Sequence, residues 1–217
     1  MLAVLLPSRG LIRTRVIEAL ENELHGIRHK KFYTHAQPIP DCFNHLSEAA
    51  LAYKTVTHLW FVEEDVVPPP GSLKKLLGLR TDIAFVNYPV VKFPSPICYY
   101  YFQGILLWVG FGCTLIKRRV FTGLPEPWFK ANCRLKARHS GSGSKSWTLE
   151  LAEEEREYGG QDIYFCTKAR EAGYKMGIVP DMDCDHDPVG SEGVDFYQRE
   201  FKNESNAKAR HIEQVQH

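Results

Sequence analysis

The chain has 217 residues, 44% of them apolar and 12% aromatic, with a formal net charge of +1. That length and apolar content describe one globular domain able to bury a core and exclude a disordered chain. The near-neutral balance excludes a bulk electrostatic attraction to nucleic acid or membranes, and no apolar run reaches the roughly 18–20 residues of a membrane span.

Leu2–Leu6 is a continuous apolar run of the kind buried in a parallel sheet, and Ser8-Arg9-Gly10 is the turn after it. Residues 12–24 carry Ile12, Val16, Ile17, Leu20 and Leu24 at helical spacing. A short strand is expected over 31–34 and a loop over 37–41. A helix with Asp41 as its N-cap follows over 42–53. Residues 55–62 are β-branched and aromatic and read as a central strand. The strand runs into Glu63-Glu64-Asp65, then three prolines, with Ser72 expected to cap a helix through Leu79. A strand over 82–88 follows, then an apolar stretch over 105–116 with Gly110-Phe111-Gly112 inside it, and a short helix over 117–122. Residues 130–145 hold Ser140-Gly141-Ser142-Gly143-Ser144, a composition expected to be mobile. Gly159-Gly160 opens a helix over 161–172 that Gly173 ends. A last strand over 175–179 leads to an acidic loop, 181–187, containing His186. Residues 191–217 read as a polar, helical C-terminal tail beyond a single domain over 1–190.

The six cysteines form no C-x-x-C pair and read as reduced, buried thiols. With residues 1–6 too short for a signal peptide, they imply a soluble cytoplasmic protein. Compact size adds the impression of a bacterial or viral source. Alternating strands and helices predict an α/β sandwich with a mostly parallel sheet, in which ligands bind beyond the carboxyl ends of strands.

The acidic triplet sits at such an end. If the strand persisted, Glu63 and Asp65 would share a face and two carboxylates would be available to a hard cation. Taken alone, the triplet reads first as a solvated acidic turn, and its position after an apolar strand shifts the balance toward a cation site. The segment resembles the acidic metal-binding region of GT-A fold, nucleotide-sugar glycosyltransferases, in which an apolar strand ends in carboxylates followed by proline. The flavour is that of family 2. Several further segments carry the likeness in the same order. Pro7-Ser8-Arg9 resembles the nucleotide-binding turn, Asn44 falls where an arginine–asparagine pair faces the nucleotide, and Gly110 and Gly112 match the strand lining the donor sugar. Asp162, after Gly160-Gln161, matches the acid that serves inverting members as general base. His186 falls where a histidine completes the metal site, with Asp183 and Asp185 nearby.

The resemblance implies a GT-A, Rossmann-like α/β/α sandwich. It also implies a metal-dependent transfer of a hexosyl or pentosyl group from a UDP-, GDP- or TDP-sugar to an acceptor hydroxyl. Pro7, Ser8, Arg9, Asn44, Glu63, Glu64, Asp65, Gly110 and Gly112 would bind the donor. Asp65, His186 and Glu63 would hold Mn²⁺ or Mg²⁺, and Asp162 would be the base. Glu63 and Gln161 depart from the usual aspartate and acid. The acceptor is a glycan, a protein or a modified DNA base. The basic run Lys130, Arg134, Lys136, Arg138 and Lys145 offers one route to an anionic acceptor such as nucleic acid. Alternative readings are a nucleotidyltransferase of related fold and a degenerate, non-catalytic sugar- or nucleotide-binding domain.

Overall fold

The computed structural model describes residues 1–8, 10–34, 39–90, 97–131, 133–139, 145–151 and 160–186, with only the backbone of 134–139 and 145–151. The expected C-terminal helical tail, Arg9 and the Ser/Gly run 140–144 lie outside the described residues. In chain order the elements begin β1 (Leu2–Leu6), α1 (Thr14–Leu24), β2 (His29–Tyr33), α2 (Ile39–Leu51), β3 (His58–Val62), β4 (Val66–Val67), α3 (Ser72–Gly78) and β5 (Ile83–Asn87). They continue with β6 (Tyr99–Phe102), β7 (Ile105–Val109), β8 (Cys113–Lys117), α4 (Arg118–Gly123), β9 (Cys133–His139), β10 (Lys145–Leu151), α5 (Gln161–Glu171), β11 (Met176–Asp183) and β12 (Asp185–His186).

The central sheet has six strands in the order β11-β5-β8-β3-β1-β2. β1 runs parallel to both β2 and β3, and β11 parallel to β5, while β8 alone is antiparallel to its two neighbours. The mixed α/β architecture with a mostly parallel sheet is therefore as expected. Every residue of β1, β5 and the last four of β3 is buried, which is why these strands read as unbroken apolar runs.

Register brings the chemistry to one edge. β1, β3, β5 and β11 all end there, and antiparallel β8 begins there, with Val62 opposite Cys113 and Asp183 opposite Asn87. The residues just beyond these ends, 7–8, 63–65, 88, 110–112 and 184–186, are neighbours for that reason.

Several local expectations are corrected. The apolar stretch 105–116 is two strands, β7 and β8, because Gly110-Phe111-Gly112 breaks it. β7 returns along β6 as a hairpin. Asp41 lies in the first turn of α2, which begins at Ile39. Ser72 is the first residue of α3; its N-cap is Gly71, in the left-handed region at φ +80°. The exposed N–H groups of α3 are met from α1, where Glu23 accepts from Gly71 (2.5 Å) and Leu73 (2.8 Å). A distant carboxylate thus does the work expected of Ser72. Flanking the Ser/Gly run, β9 and β10 pair antiparallel from Cys133 opposite Leu151 to His139 opposite Lys145, strands that were not expected.

The core joins segments distant in the chain through aromatic rings. Phe43 of α2, Phe61 of β3, Phe111, Phe121 of α4, Phe129 and Phe165 of α5 are all buried. Phe129 lies 4.9 Å from Phe165 with rings nearly parallel, and 5.2 Å from Phe43.

Candidate active site

β3 does not persist through the acidic triplet. It ends at Val62, and residues 63–66 close a turn in which the Val66 N–H donates to the Glu63 carbonyl at 3.2 Å. The three carboxylates consequently separate instead of alternating along a strand.

Glu64 turns back toward β1. It is 4% exposed and accepts a hydrogen bond from Ser8 Oγ at 2.7 Å. Ser8 Oγ in turn accepts from the Gly10 N–H at 3.0 Å, and the Arg13 N–H donates to the Glu64 carbonyl at 2.9 Å. A buried carboxylate needs such partners, so Glu64 and Ser8 together shape the turn after β1. Pro7 is buried at the start of that turn.

Asp65, 5% exposed, faces His186, with 3.5 Å between its Oδ2 and Nε2 of the ring. The delivery of His186 is a β-pairing: β12 runs antiparallel to β4, placing His186 opposite Val66. The acidic loop expected over 181–187 is therefore largely strand. Nδ1 of His186 lies 2.5 Å from the Pro89 carbonyl, an acceptor, so Nδ1 carries the proton there and Nε2 faces Asp65. Burial alone would lower the His186 pKa; the Asp65 carboxylate, the Pro89 carbonyl and Glu63 outweigh it and hold it above the usual range.

Glu63 is half-buried, its backbone N–H tied to the Gly112 carbonyl at 3.1 Å. Its charge acts on Tyr88, Cys98 and His186, so it lies in their neighbourhood. Among the described residues, no group of three or more His, Cys, Asp or Glu side chains is arranged to hold a metal. Asp65 and His186 meet; Glu63 is near but does not join them.

Tyr88, just past β5, escaped sequence reasoning. Its ring stands edge-on to His186 at 5.6 Å, and its hydroxyl accepts from the Gly112 N–H at 3.3 Å. A Cβ on Gly112 would lie 2.6 Å from the Tyr88 ring, and one on Gly110 would lie 2.4 Å from Cys98 Sγ and 2.5 Å from the Tyr88 hydroxyl. The close approach these glycines permit is thus of the protein's own Tyr88 and Cys98. A buried tyrosine right after a strand and before Pro89 was the available signal. Cys98 is held by its N–H donating to Asn87 Oδ1 at 2.9 Å, while Asn87 Nδ2 donates to Asp183 Oδ1 at 2.8 Å.

Asn44 is fully engaged elsewhere. Its Oδ1 accepts from the N–H groups of Trp128 (3.1 Å) and Phe129 (3.0 Å), and its Nδ2 donates to the Phe129 carbonyl at 2.9 Å. It clamps the 128–129 loop and with it the aromatic core.

Asp162 stands in the first turn of α5, after Gly160 at φ +81°. Gly160 is obligatory: a Cβ there would lie 2.1 Å from the Cys133 carbonyl oxygen. Burial raises the Asp162 pKa to about 6, only partly offset by backbone N–H groups. Its charge is felt by Tyr88, Cys98 and Cys166, so it lies in their neighbourhood. Asp65 and His186 thus meet beside Tyr88, and a carboxyl poised near neutrality is close enough for its charge to act on the same tyrosine. All six cysteines are free and buried, as their spacing led us to expect. No helix among the described residues is long and apolar enough to cross a membrane.

No protein-family model matches the chain, and no curated protein matches it. Among solved structures it is similar to A197 from STIV, known from a crystal structure. The TM-score is 0.59 at 18% identity, covering 85% of this chain and 84% of that one. The likeness is one of fold.

Proposed function

We propose that the protein is a glycosyltransferase that uses a divalent cation, moving a sugar from a nucleotide-diphosphate donor to an acceptor hydroxyl. The observation that supports this reading is the meeting of Asp65 with His186 across the β4–β12 pairing, with the charge of Asp162 reaching Tyr88, whose ring stands against His186. A carboxylate and a neutral imidazole suit Mn²⁺ or Mg²⁺. Such ions keep several waters and take remaining ligands from diphosphate oxygens, so two protein ligands suffice. The Nδ1–Pro89 contact orients the ring with Nε2 available, the usual outer support of a metal-binding histidine. When bound, the cation would neutralise charge on the departing diphosphate.

The chain's own groups do the rest. The Ser8–Glu64 turn borders the nucleotide end, and the 110–112 segment backed by Tyr88 forms the floor. Asp162, ionised above about pH 6, accepts the proton of the attacking hydroxyl. With Asp162 as base, attack on the anomeric carbon opposite the leaving diphosphate inverts its configuration.

A panel of UDP-, GDP- and TDP-sugars with Mn²⁺, read by mass spectrometry for released nucleotide, is the primary test. Asp65→Ala and His186→Ala should each abolish the Mn²⁺-dependent rise in melting temperature seen with nucleoside diphosphate. Melting curves that respond to Mn²⁺ and nucleotide equally in wild type and both variants would refute the metal assignment.

A further inference from the structure

The β6–β7 hairpin and its approach carry large side chains into solvent. Tyr101 is 48% exposed, Tyr100 41% and Ile105 55%. Residues 97–109 contain no Asp, Glu, Lys, Arg or His. Phosphates of a nucleic acid and anionic lipid headgroups are held by cations, and this stretch supplies none. It supplies rings and hydroxyls.

The hairpin fixes those rings in place. β6 and β7 are joined by Gln103 and Gly104, both in the left-handed region at φ +49° and +76°, the two-residue turn whose twist matches that of paired strands. Tyr99 pairs with Val109 and Tyr100 with Trp108 across the ladder. Tyr99 and Tyr101 are in contact, so they share a face of the hairpin and Tyr100 lies on the other. The half-buried Tyr99 ring and the exposed Tyr101 ring stand 5.8 Å apart at 85° and form a right-angled corner. Tyr99 leans on Phe85 at 6.3 Å, and Phe85 on Tyr88 at 5.9 Å. A continuous series of ring contacts thus leads from Tyr88, beside His186, out to the corner.

The root of the hairpin is held against the turn of α5 that carries Asp162. β7 packs on α5. The Gly110 N–H donates to the Cys98 carbonyl at 2.8 Å, and the thiol of Cys166 donates to the Val109 carbonyl at 3.7 Å. Cys166 lies four residues after Asp162, on the same helix face. The charge of Asp162 acts on both Cys98 and Cys166. Tyr99 follows Cys98 directly, and Tyr101 is three residues beyond it, roughly 10 Å along the strand.

A pyranose ring has an apolar face of C–H groups and a rim of hydroxyls. An aromatic ring meets the first by burial and by the attraction of its negative face for the polarised hydrogens, and a tyrosine hydroxyl meets the second. We infer that the acceptor is a neutral oligosaccharide, with one sugar seated in the Tyr99–Tyr101 corner and the chain leading from there toward Asp162. This deepens the proposed transfer reaction and rests on it only for the word acceptor; the binding itself requires neither donor nor cation.

The test is titration calorimetry of the full chain, without donor or cation, against maltotetraose, cellotetraose, mannotetraose and chitotetraose. At least one should bind, with an affinity that stays within about twofold between about 50 mM and about 500 mM salt, since no ion pair is involved. Tyr101→Ala should weaken it at least about fivefold, the equivalent of about 40 Å² of apolar contact. Tyr101→Phe keeps the ring and should stay within about threefold. Tyr100→Ala, on the opposite face of the same hairpin, should bind within about twofold of wild type. Saturating the aromatic protons of the wild-type protein by NMR should transfer magnetisation to sugar C–H protons, a readout that serves if Tyr101→Ala does not fold. The inference is overturned if none of the four sugars binds, if binding falls steeply with salt, or if Tyr101→Ala binds as wild type. It is equally overturned if Tyr100→Ala loses as much as Tyr101→Ala, or if a 12-nucleotide single strand or phosphatidylcholine vesicles bind more tightly than every sugar. Absence of sugar transfer with every donor would refute the proposed reaction while leaving a positive binding result standing.

Discussion

Asp162 is the residue whose ionisation links stability to chemistry. Its carboxyl titrates near 6 in the folded chain against an ordinary 3.8, and burial is the first cause. Between those two values the folded state holds the proton that the unfolded chain has released. Stability therefore declines as pH rises through that window and levels off above it. Asp162→Asn removes the penalty. The full shift corresponds to about 3 kcal/mol, and for a half-buried side chain we expect a gain of about 1–2 kcal/mol at pH 7.5 that vanishes below pH 4. The same variant should eliminate transfer while nucleotide binding remains, and the wild-type rate should rise through about pH 6 to a plateau. Urea denaturation at the two pH values checks the first statement, and a pH–rate profile the second. A variant that is less stable at pH 7.5 and still turns over would remove Asp162 from both roles.

At the scale of elements, the support for α3 shows where sequence patterns run out. Gly71 precedes the helix, and its end is satisfied by Glu23, 48 residues earlier in the chain. Glu23→Ala should cost about 1–2 kcal/mol, the range of a lost N-cap, whereas Ser72→Ala should cost less. Equal losses in thermal melts would show that Ser72 shares the work. Elements whose identity rests on local pattern were legible: the buried runs of β1, β3 and β5, helix α1 and its apolar spacing, and α5 between Gly160 and Gly173. What depends on pairing between distant segments was not. Nothing near His186 signals that β12 will lie along β4, though that contact carries the histidine to Asp65. Likewise the triplet could be read as an acidic strand end, but not that Glu64 would be drawn into the Ser8 turn or that Asn44 would clamp Phe129. Side-chain alternation also assumed a strand that stops at Val62. The pairing of 133–139 with 145–151 went unread because the Ser/Gly composition between them drew the reading, while the period-two pattern lies in the flanking strands.

Across the whole molecule, the two halves of the candidate site are supported differently. Asp65 and His186 are joined by backbone pairing of β4 with β12 and by the Pro89 contact. Asp162 rides on α5, which is held to the sheet through Phe165 and its neighbours Phe129 (4.9 Å) and Phe111 (5.2 Å). Phe129→Leu keeps an apolar side chain but loses the parallel ring contact and part of the fill between α2 and α5, at a cost of about 1–3 kcal/mol. Because the aromatic cluster is continuous from Phe43 to Phe165, unfolding should stay a single transition. Tryptophan fluorescence and far-ultraviolet dichroism should then coincide along a urea gradient. The functional consequence is asymmetric. A shift of α5 by a fraction of an ångström displaces the base from the attacking hydroxyl without disturbing the β4–β12 pairing. Turnover in Phe129→Leu should therefore fall at least about tenfold, since misplacement of about 1 Å costs on the order of a hundredfold. Affinity for Mn²⁺ and nucleoside diphosphate should stay within about twofold of wild type, about 0.4 kcal/mol. A parallel loss of both would mean that the core positions the two halves as one unit and that the β4–β12 pairing does not hold the metal half independently.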